Sequence, residues 1–232
     1  MKLALFDLDD TLIPIDSDYA WGEFTTRIGW TDADEFKRRN DAFYAQYRAG
    51  ALDIHEYIRF ATEQIRRHGP DAAAEALARF MHEVIAPAIL PAARALVEQH
   101  RRAGDQLVMV TATNEFVTRP IAASFGIKEL IAVNLACGPD GWITGEIDGT
   151  PSFREGKVTR VADWLAARGQ SWDDVEITFY SDSHNDLPLL QKARHPIATN
   201  PDDTLRAVAA ERGWRILDLF KVSCSCGSAT GF

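Results

Sequence analysis

The sequence predicts an α/β protein, a doubly wound parallel sheet with a helical domain inserted near its start. Three observations carry this expectation. The chain opens on the unbroken apolar run Leu3-Ala4-Leu5-Phe6, which suits a strand covered on both faces. From Pro91 onward, strand-like and helix-like segments alternate, the pattern of parallel strands joined by crossover helices. Between them, residues 14–87 repeat their apolar positions at helical spacing throughout.

The elements follow in order. Ser17, Thr31, Asp53 and Asp71 are candidate helix starts. Trp21, Phe24 and Ile28, then Phe36, Phe43 and Tyr47, then Ile54, Ile58 and Ala61, then Leu77, Met81 and Ile85 mark apolar faces. Helices are expected over 17–29, 32–49, 54–68 and 71–86. Pro14 on one side and Pro87 and Pro91 on the other suit a hinge pair around an insert. Beyond it come a helix (91–103), a strand (106–111), a helix (114–125) and a strand (130–135). Gly138-Pro139-Asp140-Gly141 before Trp142-Ile143-Thr144 signals a short antiparallel hairpin. A helix (154–169), a strand (175–181), a helix opening near Asn185, a strand (195–199), a helix (202–212) and a strand (214–218) complete the alternation. The expected division is an α/β core of residues 1–13 and 88–222, a helical insert of 14–87 and a small, polar tail of 223–232.

With 232 residues, 46% hydrophobic and 25% charged, the chain has the composition of a globular protein with one large core. Its net charge of −9 argues against a general nucleic-acid binder, and no apolar stretch approaches membrane-spanning length. Without a recognisable signal peptide, a cytoplasmic location is expected. Three cysteines (Cys137, Cys224 and Cys226) make no disulfide framework, and Cys224-Ser225-Cys226 lacks the further ligands of a metal site. The oligomeric state is left open.

Three of the expected parallel strands end in polar residues. The first ends in Asp7-Leu8-Asp9-Asp10-Thr11, the second in Thr111-Ala112-Thr113, and a later one in Ser181-Asp182-Ser183-His184-Asn185-Asp186. Lys157 falls in the first turn of the helix opened by Ser152-Phe153-Arg154-Glu155-Gly156. In a parallel sheet these groups meet beyond the carboxyl ends of the strands, where ligands bind. Paired aspartates let one carboxylate attack while its neighbour moves protons. With Mg²⁺ offsetting charge, and a hydroxyl, backbone amides and a lysine holding phosphoryl oxygens, the set suits phosphoryl transfer.

On these four motifs, in this order, the chain resembles the haloacid dehalogenase-like superfamily over nearly its whole length, to about residue 218. The closest branch is that of phosphoserine phosphatase-like enzymes with a helical cap inserted after the first motif. The resemblance implies a Rossmann-like core and a hydrolase acting on a small phosphorylated metabolite. Asp7 would be the nucleophile that forms an aspartyl-phosphate, and Asp9 the acid and then the base. Mg²⁺ would be held by the Asp7 carboxylate, the Asp9 carbonyl and Asp182. Thr111, the amide of Ala112 and Lys157 would hold the phosphoryl group. Asn185 and Asp186 would order the metal loop, with Asn185 also near the phosphoryl site.

An aspartate at position 9 favours phosphatase or phosphomutase work, since the dehalogenase and phosphonatase branches lack an acid there. Thr111-Ala112-Thr113 and Ser181-Asp182-Ser183 depart from phosphoserine phosphatases, which usually carry a serine and two glycines, and Gly-Asp-Gly, at these places. The stretch Asp16-Ser17-Asp18-Tyr19-Ala20-Trp21 matches a bacterial group of cap-bearing relatives. Phosphoserine and histidinol phosphate are the substrate candidates, and transfer to an alcohol or phosphometabolite binding without turnover are the alternatives. Asp16, Asp18 and Trp21 are candidate substrate contacts from the cap, set against helix capping by Asp16 or Ser17 and core packing by Trp21. Thr113 reads equally as a helix cap, and His184 as a loop-packing residue.

Overall fold

The computed structural model describes residues 1–220. Its first strand, β1 (Lys2–Phe6), leads into the helical insert: α1 (Ser17–Arg27), α2 (Ala33–Arg48), α3 (Ile54–Ala61), α4 (Glu63–Phe80), a π-helical turn (Met81–Ile85) and α5 (Ala86–Ala88). Then follow α6 (Pro91–Arg102), β2 (Gln106–Asn114), α7 (Glu115–Ser124), β3 (Glu129–Val133), β4 (Leu135–Cys137) and β5 (Ile143–Ile147). The chain continues through α8 (Glu155–Ala166), β6 (Glu176–Ser181), α9 (Leu187–Leu190), β7 (His195–Thr199), α10 (Asp203–Glu211) and β8 (Arg215–Leu217).

Six strands form one sheet in the order β3-β2-β1-β6-β7-β8, and every pairing in it is parallel. The unbroken apolar run of β1 explains its central place. Ala4 and Phe6 join a cluster with Val97, Met109, Val117 and Ile121, while Leu3 and Leu5 join another with Val108, Val161, Leu165 and Phe179. Both faces of the strand are thus covered by helices, α6 and α7 on one side and α8 to α10 on the other. The chain winds from β1 through β2 to β3, then returns to β6 and winds the other way. The switch point between β1 and β6 opens a crevice at the carboxyl ends of the two strands.

The insert differs from expectation in its joints. Asp16 and Asp32, not Ser17 and Thr31, cap α1 and α2, each carboxylate accepting two amides of the first turn. The helix expected over 54–68 breaks at Thr62 into α3 and α4. The gap expected before Asp71 is a kink inside α4, where Gly69 has φ of 80° and Pro70 follows. Trp21, Phe24 and Phe80 share one hydrophobic cluster with Phe6, Leu8 and Leu12, so α1 and α4 are packed into the body of the core. Phe36, Phe43 and Phe60 form a small cluster of their own at the α2–α3 tip.

The hairpin forms as expected, with β4 and β5 antiparallel, and it lies under the insert. Leu135, Ile143 and Ile147 pack against Ile54 and Ile58 of α3. Among the described residues, no single helix is long and apolar enough to cross a membrane. The Cys224 and Cys226 pair and the tail division lie outside the described residues.

Candidate active site

The loop after β1 is built inward. Leu8, Leu12 and Ile13 are fully buried, which anchors the turn and leaves Asp7 and Asp9 facing the crevice. Asp10 sits at φ of 52°, a left-handed conformation, and its carbonyl accepts from Asn200 Nδ2 at 2.9 Å. Thr11 ties this loop to the one after β6. Its Oγ1 donates to Asp182 Oδ1 at 3.2 Å and accepts from the Asp182 amide at 3.0 Å. Asp9 is held at both oxygens: the Ser17 amide donates to Oδ1 at 2.7 Å and Thr113 Oγ1 donates to Oδ2 at 2.8 Å.

Lys157 is wholly buried, its Nζ 2.9 Å from Asp7 Oδ1 and 2.7 Å from Asp186 Oδ2. The local backbone explains how it gets there. Arg154 enters α8 at φ of 52°, and a Cβ on Gly156 would lie 2.0 Å from the Pro151 carbonyl oxygen. Only glycine allows that close approach, which turns the first helical residues into the sheet. Ser181 Oγ donates to Asp186 Oδ2 at 2.7 Å, so the far carboxylate is itself fixed.

A cavity of about 530 Å³ of empty space opens from these groups toward the insert. Asp7, Asp9, Thr111, Ala112 and Thr113 form its floor; Asp16, Asp18 and Tyr19 of the α1 start form one wall. Phe43, Tyr44, Tyr47 and Tyr57 roof it from α2 and α3. Burial raises the Asp7 carboxyl to about 7, against the pull of Lys157 and with added repulsion from Asp186 and Asp9. Burial also raises Asp9, opposed by its bonds to Ser17 and Thr113. For Lys157, burial alone would lower the pKa, but Asp186 and Asp7 overcome it and the ammonium is held charged.

The sequence profile of the haloacid dehalogenase-like hydrolases matches residues 4–191. This chain belongs to that family. It is 44% identical to the histidinol-phosphatase of Neisseria meningitidis serogroup C (strain 8013), over 94% of this chain and 98% of that protein. A crystal structure of a Bordetella pertussis Tohama I protein of unknown function superposes with a TM-score of 0.89 at 48% identity, covering 94% of this chain and 99% of that one. A substrate-bound phosphoserine phosphatase superposes with a TM-score of 0.62 at 17% identity over 93% of this chain and 92% of its own, a likeness of fold. The expected family and its hydrolase class on phosphoric monoesters are therefore met.

Within this haloacid dehalogenase-like site, the four expected motifs converge. Asp7, Asp9, Thr111 and Ala112 line one cavity, and Lys157, Asp182 and Asp186 lie at its base through the bonds given above. Asn185 turns elsewhere: its Nδ2 donates to the Tyr47 carbonyl at 3.1 Å and ties the loop after β6 to α2. His184 packs its loop as one reading expected, with its amide and Nδ1 both 2.8 Å from Asp202 Oδ2.

Trp21 needs correction as a substrate contact. It is 1% exposed and boxed by Phe24, Trp30, Phe80 and Phe116, with no place in the cavity wall. An amphipathic helix this close to the core spends its largest ring on packing. Asp18 does reach the cavity, and Asn114 Nδ2 donates to its Oδ1 at 3.0 Å. Asn114 is also the cap of α7, which frees Thr113 for Asp9. Among the site residues, Asn114 and Tyr57 have no site role in the sequence reading, Ser181 enters it only as a motif neighbour, and Thr113 only as a motif neighbour or a helix cap. The available signal was position, since two of them directly follow the Thr111-Ala112 motif.

The residues also fit a magnesium ion. Asp182 is pushed well above the usual carboxylate range, by burial first and then by Asp7, Asp10 and Asp186, with Lys157 the opposing charge. Such crowded carboxylates gain from a hard divalent cation. No three His, Cys, Asp or Glu side chains converge on one point among the described residues. Mg²⁺ takes one or two carboxylates and fills its shell with other oxygens and water.

Proposed function

We propose that the protein is a Mg²⁺-dependent phosphomonoesterase that works through an aspartyl-phosphate on Asp7, and that its substrate is histidinol phosphate. The observation that carries the reaction is the placement of two differently held carboxylates on one loop: Asp7 against Lys157 and Asp9 between Ser17 and Thr113. The substrate rests on the 44% identical Neisseria relative and on a cavity whose walls are acidic and aromatic.

Asp7 attacks phosphorus, and the bond from phosphorus to the leaving oxygen breaks. Asp9, protonated because burial raises its pKa, gives its proton to that oxygen. The alcohol departs, and Asp9, now a carboxylate, takes a proton from water as the water attacks the phosphorus of the aspartyl-phosphate. The bond from phosphorus to Asp7 breaks and orthophosphate is released. Lys157 holds the charge of Asp7 and of the phosphoryl oxygens, with Thr111 and the Ala112 amide on the same floor. Asp7, Asp182 and the Asp9 carbonyl would hold Mg²⁺, which neutralises phosphoryl charge and lets a carboxylate approach it. The roof of Phe43, Tyr44 and Tyr57 keeps bulk water away from the first step.

The test is phosphate release from histidinol phosphate, phosphoserine and p-nitrophenyl phosphate, with Mg²⁺ and with EDTA, beside Asp7→Asn. Mg²⁺-dependent release with histidinol phosphate preferred, abolished in the variant while it still unfolds cooperatively, is the expected result. Turnover retained by Asp7→Asn would remove the proposed nucleophile. Mg²⁺ alone should also stabilise the folded protein by about 2.7 kcal/mol at a hundredfold excess over Kd, read as a higher unfolding temperature, and Asp182→Asn should lose that shift.

A further inference from the structure

We propose that Asp18 selects the substrate, its free carboxylate oxygen taking the cationic nitrogen of an amino-alcohol phosphate. This rests on the phosphatase reading and assigns the group that recognises the leaving alcohol. Asp18 is 4% exposed, and its Oδ2 is buried with no hydrogen-bond partner among the described residues. The other oxygen is fixed by Asn114, which is itself fully buried and locked as the cap of α7 by the Val117 amide. Tyr57 stands beside the carboxyl, yet among the described residues no hydrogen bond closes on Oδ2. A buried carboxylate oxygen left open costs stability unless something arrives to meet it.

Its position says what arrives. Thr113 holds Asp9, the acid that protonates the leaving oxygen, and the next residue along the chain holds Asp18. The free oxygen therefore belongs to the leaving-group side of the cavity. Asp7, Asp9, Asp16 and Asp18 line that cavity, and among the described residues no lysine or arginine joins them in its lining. The buried cation at its base, Lys157, is shared between Asp7 and Asp186. A leaving alcohol bearing an ammonium or imidazolium meets complementary charge and aromatic walls, whereas the carboxylate of a phospho-amino acid meets only aspartates.

The experiment compares wild type with Asp18→Asn on histidinol phosphate, on 3-phenylpropyl phosphate (similar in size, without nitrogen) and on p-nitrophenyl phosphate. The variant should lose about 10- to 100-fold in kcat/KM on histidinol phosphate, mainly through KM, the worth of one charged hydrogen bond. On the two esters without a cationic nitrogen it should stay within about threefold of wild type. An equal loss on all three, or no loss on histidinol phosphate, overturns the proposal. Wild type that hydrolyses all three without discrimination overturns it too and leaves the phosphatase reading standing. Wild type inactive on every ester overturns the phosphatase reading instead. Calorimetry with histidinol and 3-phenylpropanol then decides the proposal: wild type must bind histidinol at least about tenfold tighter than the phenyl alcohol, and equal or absent binding overturns it.

Discussion

Lys157 and Asp186 form an ion pair of 2.7 Å with both side chains almost wholly buried. The pair is a brace for the nucleophile, because the same ammonium reaches Asp7 at 2.9 Å. Ser181 donates to the same Asp186 oxygen that Lys157 meets, so the order Ser181, Asp186, Lys157, Asp7 runs from β6 to β1 through the base of the site.

Lys157→Met should destabilise the protein by about 3–5 kcal/mol near pH 7.5, since it strands buried carboxylates without their cation. Urea unfolding measures this, and the deficit should shrink at pH 4–5, where protonation removes the repulsion. A variant as stable as wild type at both pH values would show that the ammonium does not brace the site.

Thr113→Val removes the hydroxyl that holds Asp9 Oδ2. The loss in kcat should be about 10- to 100-fold on an alkyl phosphate, whose leaving oxygen needs a proton, and markedly smaller on p-nitrophenyl phosphate, whose leaving oxygen does not. Thr113→Ser should recover most of it. Equal losses on both esters would assign Thr113 to packing alone.

Gly156→Ala places a methyl group against the Pro151 carbonyl, so the start of α8 must shift and Lys157 with it. The protein should lose roughly 2 kcal/mol of stability or more, and kcat should fall alongside. Thermal scans and turnover on one preparation check both effects.

Burial, with Asp9 nearby, pushes the Asp18 carboxyl up to about 7. A group whose folded pKa lies above its unfolded value binds more protons when folded, so its contribution to stability is lost as pH rises from about 4 to 7. Ligand-free Asp18→Asn should therefore be more stable than wild type above pH 7, by roughly a few kcal/mol at most, with the difference gone near pH 4. Unfolding curves at pH 4, 6 and 8 give the comparison, and a gap that does not change with pH would contradict the sign.

The sheet and the base of the site were legible because they rest on local signals. Four apolar residues before Asp7 require a doubly covered strand, and strands that alternate with helices require parallel pairing. Lys157 is different: an isolated lysine early in a helix reads as solvated, and its burial depends on Arg154 and Gly156 turning α8 inward. Trp21 was ambiguous because a ring on an amphipathic helix suits either a pocket or a core. The partners that decide it, Phe80 and Phe116, lie far along the chain. Thr113 and Asn114 each satisfy the rules for a helix cap, and only the folded loop shows which one caps and which one serves Asp9.

The division between the packed helices α1 and α4 and the separate α2–α3 tip has an evolutionary consequence. The tip supplies most of the cavity roof but keeps its own small phenylalanine cluster, so residues 32–62 can be rewritten with little penalty to the sheet beneath. New leaving groups are then reached by drift in one short stretch while the chemistry below is inherited unchanged. A chimera carrying a relative's tip on this chain should fold and keep its nucleophile while its substrate range moves toward the donor's.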